Sequence, residues 1–154
     1  MNLKKILFAT DFSHASDAAL TLATSLARDS GATLLLVHVE EPSMAYGGGE
    51  LYYGALGPAP QELRRMLEAI LPTDPDVAYE HHLIPGDPAT ALVRFAKEKV
   101  VDLIVLGTHG RTGLLRMLMG SVAEAVVRRA TCPVITFRQP AKKPAKRPAK
   151  KPVT

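Results

Sequence analysis

Gly107-Thr-His-Gly110-Arg-Thr-Gly-Leu-Leu-Arg-Met-Leu-Met-Gly120-Ser121 follows an apolar run, Leu103-Ile-Val-Leu106, and precedes a helical pattern outlined by Val122, Ala125, Val126 and Arg129. A buried strand therefore opens into a glycine-rich loop that feeds a helix N-terminus. Chains build that arrangement where backbone N–H groups must approach an anion, usually a phosphate. Glycine suits such a loop in two ways: it permits positive φ, and it has no Cβ to hold a ligand away. The segment points to a nucleotide. Its spacing, G-x2-G-x9-G-S, matches neither the P-loop G-x4-G-K-[ST] nor the dinucleotide G-x-G-x-x-G.

Apolar runs and amphipathic stretches alternate along the rest of the chain. A first strand is expected over Lys5–Thr10. Asp11 or Ser13 would cap the next helix, with Ala15, Ala19, Leu22 and Leu26 on its inner face and Asp29-Ser-Gly31 at its end. Thr33–Val39 is nearly all apolar, as a strand covered on both faces should be. A long loop, Glu40 to Pro60, is a lid candidate or a mobile insert. Leu63, Met66, Leu67 and Ile70 mark a second helix closed by Pro72 and Pro75. Val77–Ile84 reads as a strand near a sheet edge because it carries Glu80, His81 and His82. Pro85-Gly-Asp-Pro88 turns into a third helix with Leu92, Phe95 and Ala96 inward, before strands over Val101–Leu106 and Val134–Phe137.

This alternation implies right-handed βαβ crossovers and a parallel sheet. The expected fold class is α/β: a single doubly wound, Rossmann-like domain with helices on both faces. Five strands permit the order 3-2-1-4-5. Ligands bind such sheets beyond the carboxyl ends of the strands, where the order reverses. That point lies between the first and fourth strands, so Asp11 and Gly107 are placed side by side without any motif matching.

The loop spacing also resembles the nucleotide-binding signature of the universal stress protein family. Ile6-Leu-Phe-Ala-Thr-Asp-Phe-Ser13 resembles that family's first strand with its terminal Asp, Leu35-Leu-Val-His-Val39 its second, and Val101-Asp-Leu-Ile-Val-Leu-Gly107 and Cys132-Pro-Val-Ile135 its fourth and fifth. The likeness covers about residues 2–138. It implies the order 3-2-1-4-5, a nucleotide site that includes Asp11, a Val39 backbone that reads the adenine edge, and a homodimer formed through the Val134–Phe137 edge strand.

The candidate nucleotide-binding residues are Thr10, Asp11, Val39, Gly107, Gly110, Arg111, Gly120, Ser121 and Val122. Gly107 and Gly110 would present N–H groups to ribose and phosphates, or simply form a tight turn. Gly120 and Ser121 sit where N–H groups, the helix dipole and a hydroxyl favour phosphate, although Ser121 could be an ordinary N-cap. Asp11 could accept from a ribose hydroxyl, hold a divalent cation between phosphates, or cap its helix. Thr10 would line the pocket, and Val122 would offer its backbone or pack in the core. Arg111 could pair with a γ-phosphate or remain a solvated loop residue. The expected cofactor is ATP with Mg2+ or Mn2+. His81 and His82 are adjacent on a strand, so they point to opposite faces and cannot share a metal. His14, His38 and His109 show no ligand-like spacing or partner. Cys132 reads as buried packing. Met117 and Met119, with Leu114, Leu115 and Leu118, read as helical core in preference to a nucleotide cover or a subunit contact.

Charge divides the chain. Residues 141–154 hold six Lys or Arg and no acid, which leaves 13 basic against 15 acidic residues in the rest. The expected organisation is a nucleotide-binding domain over 1–140 and a disordered basic tail over 141–154, Ala141-Lys-Lys-Pro-Ala-Lys-Arg-Pro-Ala-Lys-Lys-Pro152 at its core. Such a tail could bind nucleic acid or another polyanion by counterion release. No apolar run approaches the ~20 residues that span a bilayer, and the short apolar start is interrupted at Asp11. With one cysteine and no secretion signal, a cytoplasmic location without membrane contact is expected. The leading expectation is an ATP-binding regulatory module of the stress response. The alternatives are a slow ATPase or autophosphorylating protein, which lacks a Walker lysine, and a polyanion-associated protein acting through its tail.

Overall fold

The computed structural model describes residues 2–42, 57–108 and 119–138. Its elements, in chain order, are β1 (Lys5–Ala9), α1 (His14–Ser30), β2 (Thr33–Glu40), α2 (Pro60–Glu68), β3 (Tyr79–Pro85), α3 (Pro88–Glu98), β4 (Leu103–Gly107), α4 (Ser121–Arg129) and β5 (Val134–Phe137). All strand pairs are parallel and the sheet order is β3-β2-β1-β4-β5, as the alternation and the resemblance led one to expect.

Each strand divides its apolar side chains between two faces, because successive Cβ atoms alternate. Leu7, Leu35, Val37, Ile104 and Leu106 meet Leu92, Phe95 and Ala96 of α3 and Ala123 and Val126 of α4. Ile6, Phe8, Leu34, Leu36 and Val105 meet Ala19, Ala23 and Ala27 of α1 and Leu67 of α2. The central strands are therefore covered on both sides, which explains their unbroken apolar sequences.

Several expected boundaries and faces move. β1 stops at Ala9 rather than Thr10, for a reason that bears on the site below. β4 begins at Leu103 rather than Val101, whose N–H is engaged at the end of α3 by Ala96 O; the Asp102 carboxylate accepts from the Lys4 and Lys5 N–H groups at 2.8 and 3.0 Å. β3 runs two residues later than expected at its start and includes Pro85. In α1 the buried stripe is Ser16, Ala19, Ala23, Thr24 and Ala27, so of the expected Ala15, Ala19, Leu22 and Leu26 only Ala19 belongs to it. Small side chains let the helix lie close to the sheet, while Leu20 and Leu26 pack at its flanks. Met66 of α2 is 36% exposed and Ile70 lies past the helix end. Arg129 is exposed on α4 and reaches the Thr90 hydroxyl at 3.1 Å, while Ala123 takes the inward position.

Two helices end in the same left-handed closure. Gly31, at φ 69°, closes α1, with the Ala32 N–H donating to Ala27 O. In α3 the corresponding residue is Val100, at φ 54°, with the Val101 N–H donating to Ala96 O at 2.9 Å. Only the first of these uses the residue type that the conformation favours.

Candidate functional site

The helices that follow the two central strands leave the sheet in opposite directions, α1 to one face and α4 to the other. A cleft of about 300 Å³ opens between them at the carboxyl ends of β1 and β4. Thr10, Asp11, Val39, Gly107, Gly120, Ser121 and Val122 all line it, so seven of the nine expected residues converge on one place. Gly110 and Arg111 lie outside the described residues, as do the glycine-loop interior (109–118), the body of the lid candidate (43–56) and the tail.

The cleft's first feature is an interrupted ladder. Along β2 the N–H and C=O groups of odd-numbered residues face β1: Thr33 N–H donates to Lys4 O, and Val37 O accepts from Thr10 N–H, both at 2.9 Å. Val39 faces the same way, but the last β1–β2 pair is Ala9 with Val37. The Val39 N–H and C=O therefore have no partner among the described residues and border the cleft. A donor and an acceptor side by side on one residue match the edge of a purine base.

The second feature is Asp11. Its Oδ1 accepts from the Ser13 N–H and from the Ser16 hydroxyl, each at 3.0 Å. Ser13 occupies the N-cap of α1, and neither of the two expected caps makes a side-chain cap bond; Asp11 instead braces the turn that leads into the helix. Oδ2 has no partner among the described residues, and the residue lines the cleft. An acceptor-only oxygen suits a hydroxyl donor or a hard cation.

The third is the start of α4. Its N-cap is Gly120, so Ser121 is the first helical residue and not the cap. The Gly120 N–H donates to Thr108 O, which corrects the expectation that it is presented to a ligand. The first helical bond runs from Glu124 N–H to Gly120 O, leaving the N–H groups of Ser121, Val122 and Ala123 without partners among the described residues. The helix start of α3, also at the cleft, is occupied, because the Asp87 carboxylate accepts from Thr90 N–H there. The first N–H groups and the dipole of α4 are therefore available to an anion in the cleft.

Neither described glycine of the signature needs positive φ. Gly120 sits at φ −70°, and Gly107 is absent from the positive-φ residues. A Cβ on Gly107 would meet Ala15 at ordinary distances of 3.7–3.9 Å. Turn geometry therefore does not require glycine at either position.

Sequence reasoning missed Ser16, Val37, His38, Pro88 and Leu92 as lining residues. Val37 could have been found from the two-residue strand period, and Leu92 follows Pro88 by one helical turn. Among the other histidines, His81 and His82 do point apart: His81 Nε2 meets Ile70 O at 2.7 Å, whereas His82 pairs with Glu80 at 2.8 Å beside the Phe95 ring. No group of three or more metal-ligating side chains occurs among the described residues. Cys132 is half-buried and packs against the α3–α4 core, where burial raises its thiol pKa.

Comparison with known proteins gives a consistent result. The sequence profile of the Universal stress protein family matches residues 2–138. Universal stress protein MJ0531 of Methanocaldococcus jannaschii is 36% identical over 145 residues, covering 91% of this chain and 85% of its own. Universal stress protein UspA from Lactobacillus plantarum superposes with a TM-score of 0.67 at 26% identity, covering 90% of this chain and 99% of its own. A universal stress protein crystallised in complex with cAMP superposes with a TM-score of 0.61 at 26% identity, covering 89% and 98%.

Proposed function

The chain belongs to the universal stress protein family, and from that premise we propose that it binds an adenine nucleotide, ATP with Mg2+ or Mn2+, and serves as a nucleotide-dependent regulatory module. One observation supports this above the others. Three sets of groups without partners among the described residues, 28 or more residues apart in sequence, face one cleft: the Val39 N–H and C=O, Asp11 Oδ2, and the first N–H groups of α4. They correspond to a base edge, a sugar hydroxyl or cation, and a phosphate. The relative bound to cAMP supports an adenine ring as the base.

The charge of the cleft supports a cation. Asp11 and Glu41 line it, and no Lys or Arg does so among the described residues. A polyphosphate beside two carboxylates is opposed unless a divalent ion lies between them. Asp11 Oδ2 is a hard oxygen donor suited to Mg2+, with phosphate oxygens and water supplying the remaining positions. Arg111 would add a cationic contact to the terminal phosphate.

Regulation, not turnover, is the role these residues favour. Efficient phosphoryl transfer needs an oriented nucleophile and charge stabilisation beyond one metal ligand. Asp11 is the single candidate, so hydrolysis would be slow at most. Nucleotide would act by binding one arrangement of the neighbouring loop or subunit surface better than another.

Calorimetric titration of ATP and Mg2+ into nucleotide-stripped protein tests the reading. The backbone at Gly120 suits any residue, so Gly120→Val adds bulk at the head of α4 without conformational strain. Tight binding by the wild type and its loss in the folded variant are expected. A wild type that binds no nucleotide would sink the proposal.

A further inference from the structure

His38 is buried, lines the cleft and belongs to neither the expected site nor the apolar core. Its Nδ1 lies 2.8 Å from the carbonyl oxygen of Thr10. A carbonyl can only accept, so Nδ1 carries the proton and donates. That carbonyl has a particular place in the sheet. Thr10 N–H donates to Val37 O, and in a parallel ladder the next bond would run from Val39 N–H to Thr10 O. The imidazole N–H engages the oxygen that would accept this bond, and the ladder stops at Ala9 with Val37.

We infer that His38 is the positioning residue of base recognition: by engaging Thr10 O it ends the β1–β2 ladder one step early and leaves the Val39 N–H and C=O for the purine edge. The inference rests on the nucleotide reading and assigns this residue's part in it. Two further contacts, both made by Phe12, hold the arrangement. Phe12 adopts φ 64°, rare for a residue with a side chain. Its N–H donates to Thr10 Oγ1 at 3.0 Å, and its ring stands 4.2 Å from that of His38. The chain thus turns out of β1 immediately after Thr10 and carries Asp11 to the cleft. One imidazole thereby sets both the exposed backbone of β2 and the turn that presents the carboxylate.

Substitutions separate this role from simple packing. His38→Leu and His38→Gln both remove the donor from the Nδ1 position, the first keeping an apolar shape and the second a polar one. His38→Asn keeps an amide donor near Nδ1. The measurement uses full-length labelled protein, stripped of nucleotide. Scalar coupling across hydrogen bonds and amide exchange are recorded at Val39, followed by titration with ATP and Mg2+. In the wild type the Val39 amide should lack coupling to the Thr10 carbonyl and exchange readily. In His38→Leu or His38→Gln the coupling should appear, exchange should slow, and nucleotide affinity should fall about tenfold, as for a lost hydrogen bond. His38→Asn should stay close to the wild type in both readouts. A Val39–Thr10 bond already present in the wild type, or a Val39 amide and an affinity that ignore loss of the donor, would overturn the inference. If the coupling responds as expected but the wild type binds no nucleotide, the nucleotide reading fails and the assigned role falls with it.

Discussion

Asp11 divides one carboxylate between folding and recognition. Oδ1 satisfies the Ser13 N–H and the Ser16 hydroxyl, and Oδ2 is left for the cleft. The Ser16 hydroxyl is informative because the same buried stripe continues as Ala19, Ala23 and Ala27, where packing alone is served by a methyl group. Two variants should behave differently. Asp11→Ala removes both bonds and should lower unfolding free energy by about 1 kcal/mol, read from denaturant midpoints. Asp11→Asn keeps an oxygen for the two donors, so stability should change little, while calorimetry should show weaker nucleotide binding in both variants. An Asp11→Ala protein of undiminished stability would contradict the bracing role. At this scale the sequence was a partial guide. Asp11, Val39 and Ser121 could be placed because strand ends and a helix start are local signals. The role inferred for His38 depends on a carbonyl 28 residues away and on where a ladder stops, which no local pattern encodes.

Among the elements, the strands were legible to within about two residues, because continuous apolar runs bounded by polar turns leave little choice. Helix faces were less so. In α1 the periodicity of Ala and Leu admits two stripes, and the smaller side chains won because the sheet lies close beneath. The end of α3 shows a different conflict. Val100 is β-branched, 74% exposed and held at φ 54°, where its side chain gains little burial and its backbone is strained. Glycine would relieve roughly 1–2 kcal/mol of left-handed strain. It would return some of that through the greater freedom of the unfolded chain. Val100→Gly should therefore stabilise the protein by somewhat under about 1 kcal/mol, visible as a raised melting temperature. A lower melting temperature would mean that the Val100 side chain makes contacts worth more than its strain. Because the site is at the opposite end of the sheet from this turn, nucleotide affinity should not change.

Across the whole molecule, two carboxylates give stability a pH dependence, and one of them, Asp102, ties distant parts of the chain. The Lys4 and Lys5 N–H groups, bonded to Asp102, hold its pKa below the ordinary 3.8, and Thr90 does the same for Asp87 through hydrogen bonds. A carboxylate whose folded pKa is depressed contributes fully above its unfolded value and loses that contribution as pH falls through the folded one. Thermal stability should accordingly be flat near neutrality and decline below about pH 4. Asp102→Asn should be less stable at neutral pH and show a shallower decline; an identical acid profile would remove Asp102 from the account. The acid-sensitive contact joins β1 to β4, the two strands that frame the cleft.

The same scale raises the question of the free sheet edges. Pro133 O and Phe137 O accept from Ile104 and Thr108 N–H, so odd-numbered residues of β5 face β4 while Val134 and Thr136 turn their backbone groups outward. An unpaired edge of this kind invites another strand, and pairing with β5 of a second copy is the homodimer that the family resemblance implied. Proline at position 134 removes an outward N–H without touching the bonds to β4. If the dimer forms through this edge, Val134→Pro should shift the light-scattering mass from two chains to one, with nucleotide still bound by the monomer because the cleft lies at the ends of β1 and β4. A variant that remains dimeric would move the interface elsewhere, and one that loses nucleotide along with its partner would make the second copy part of the site.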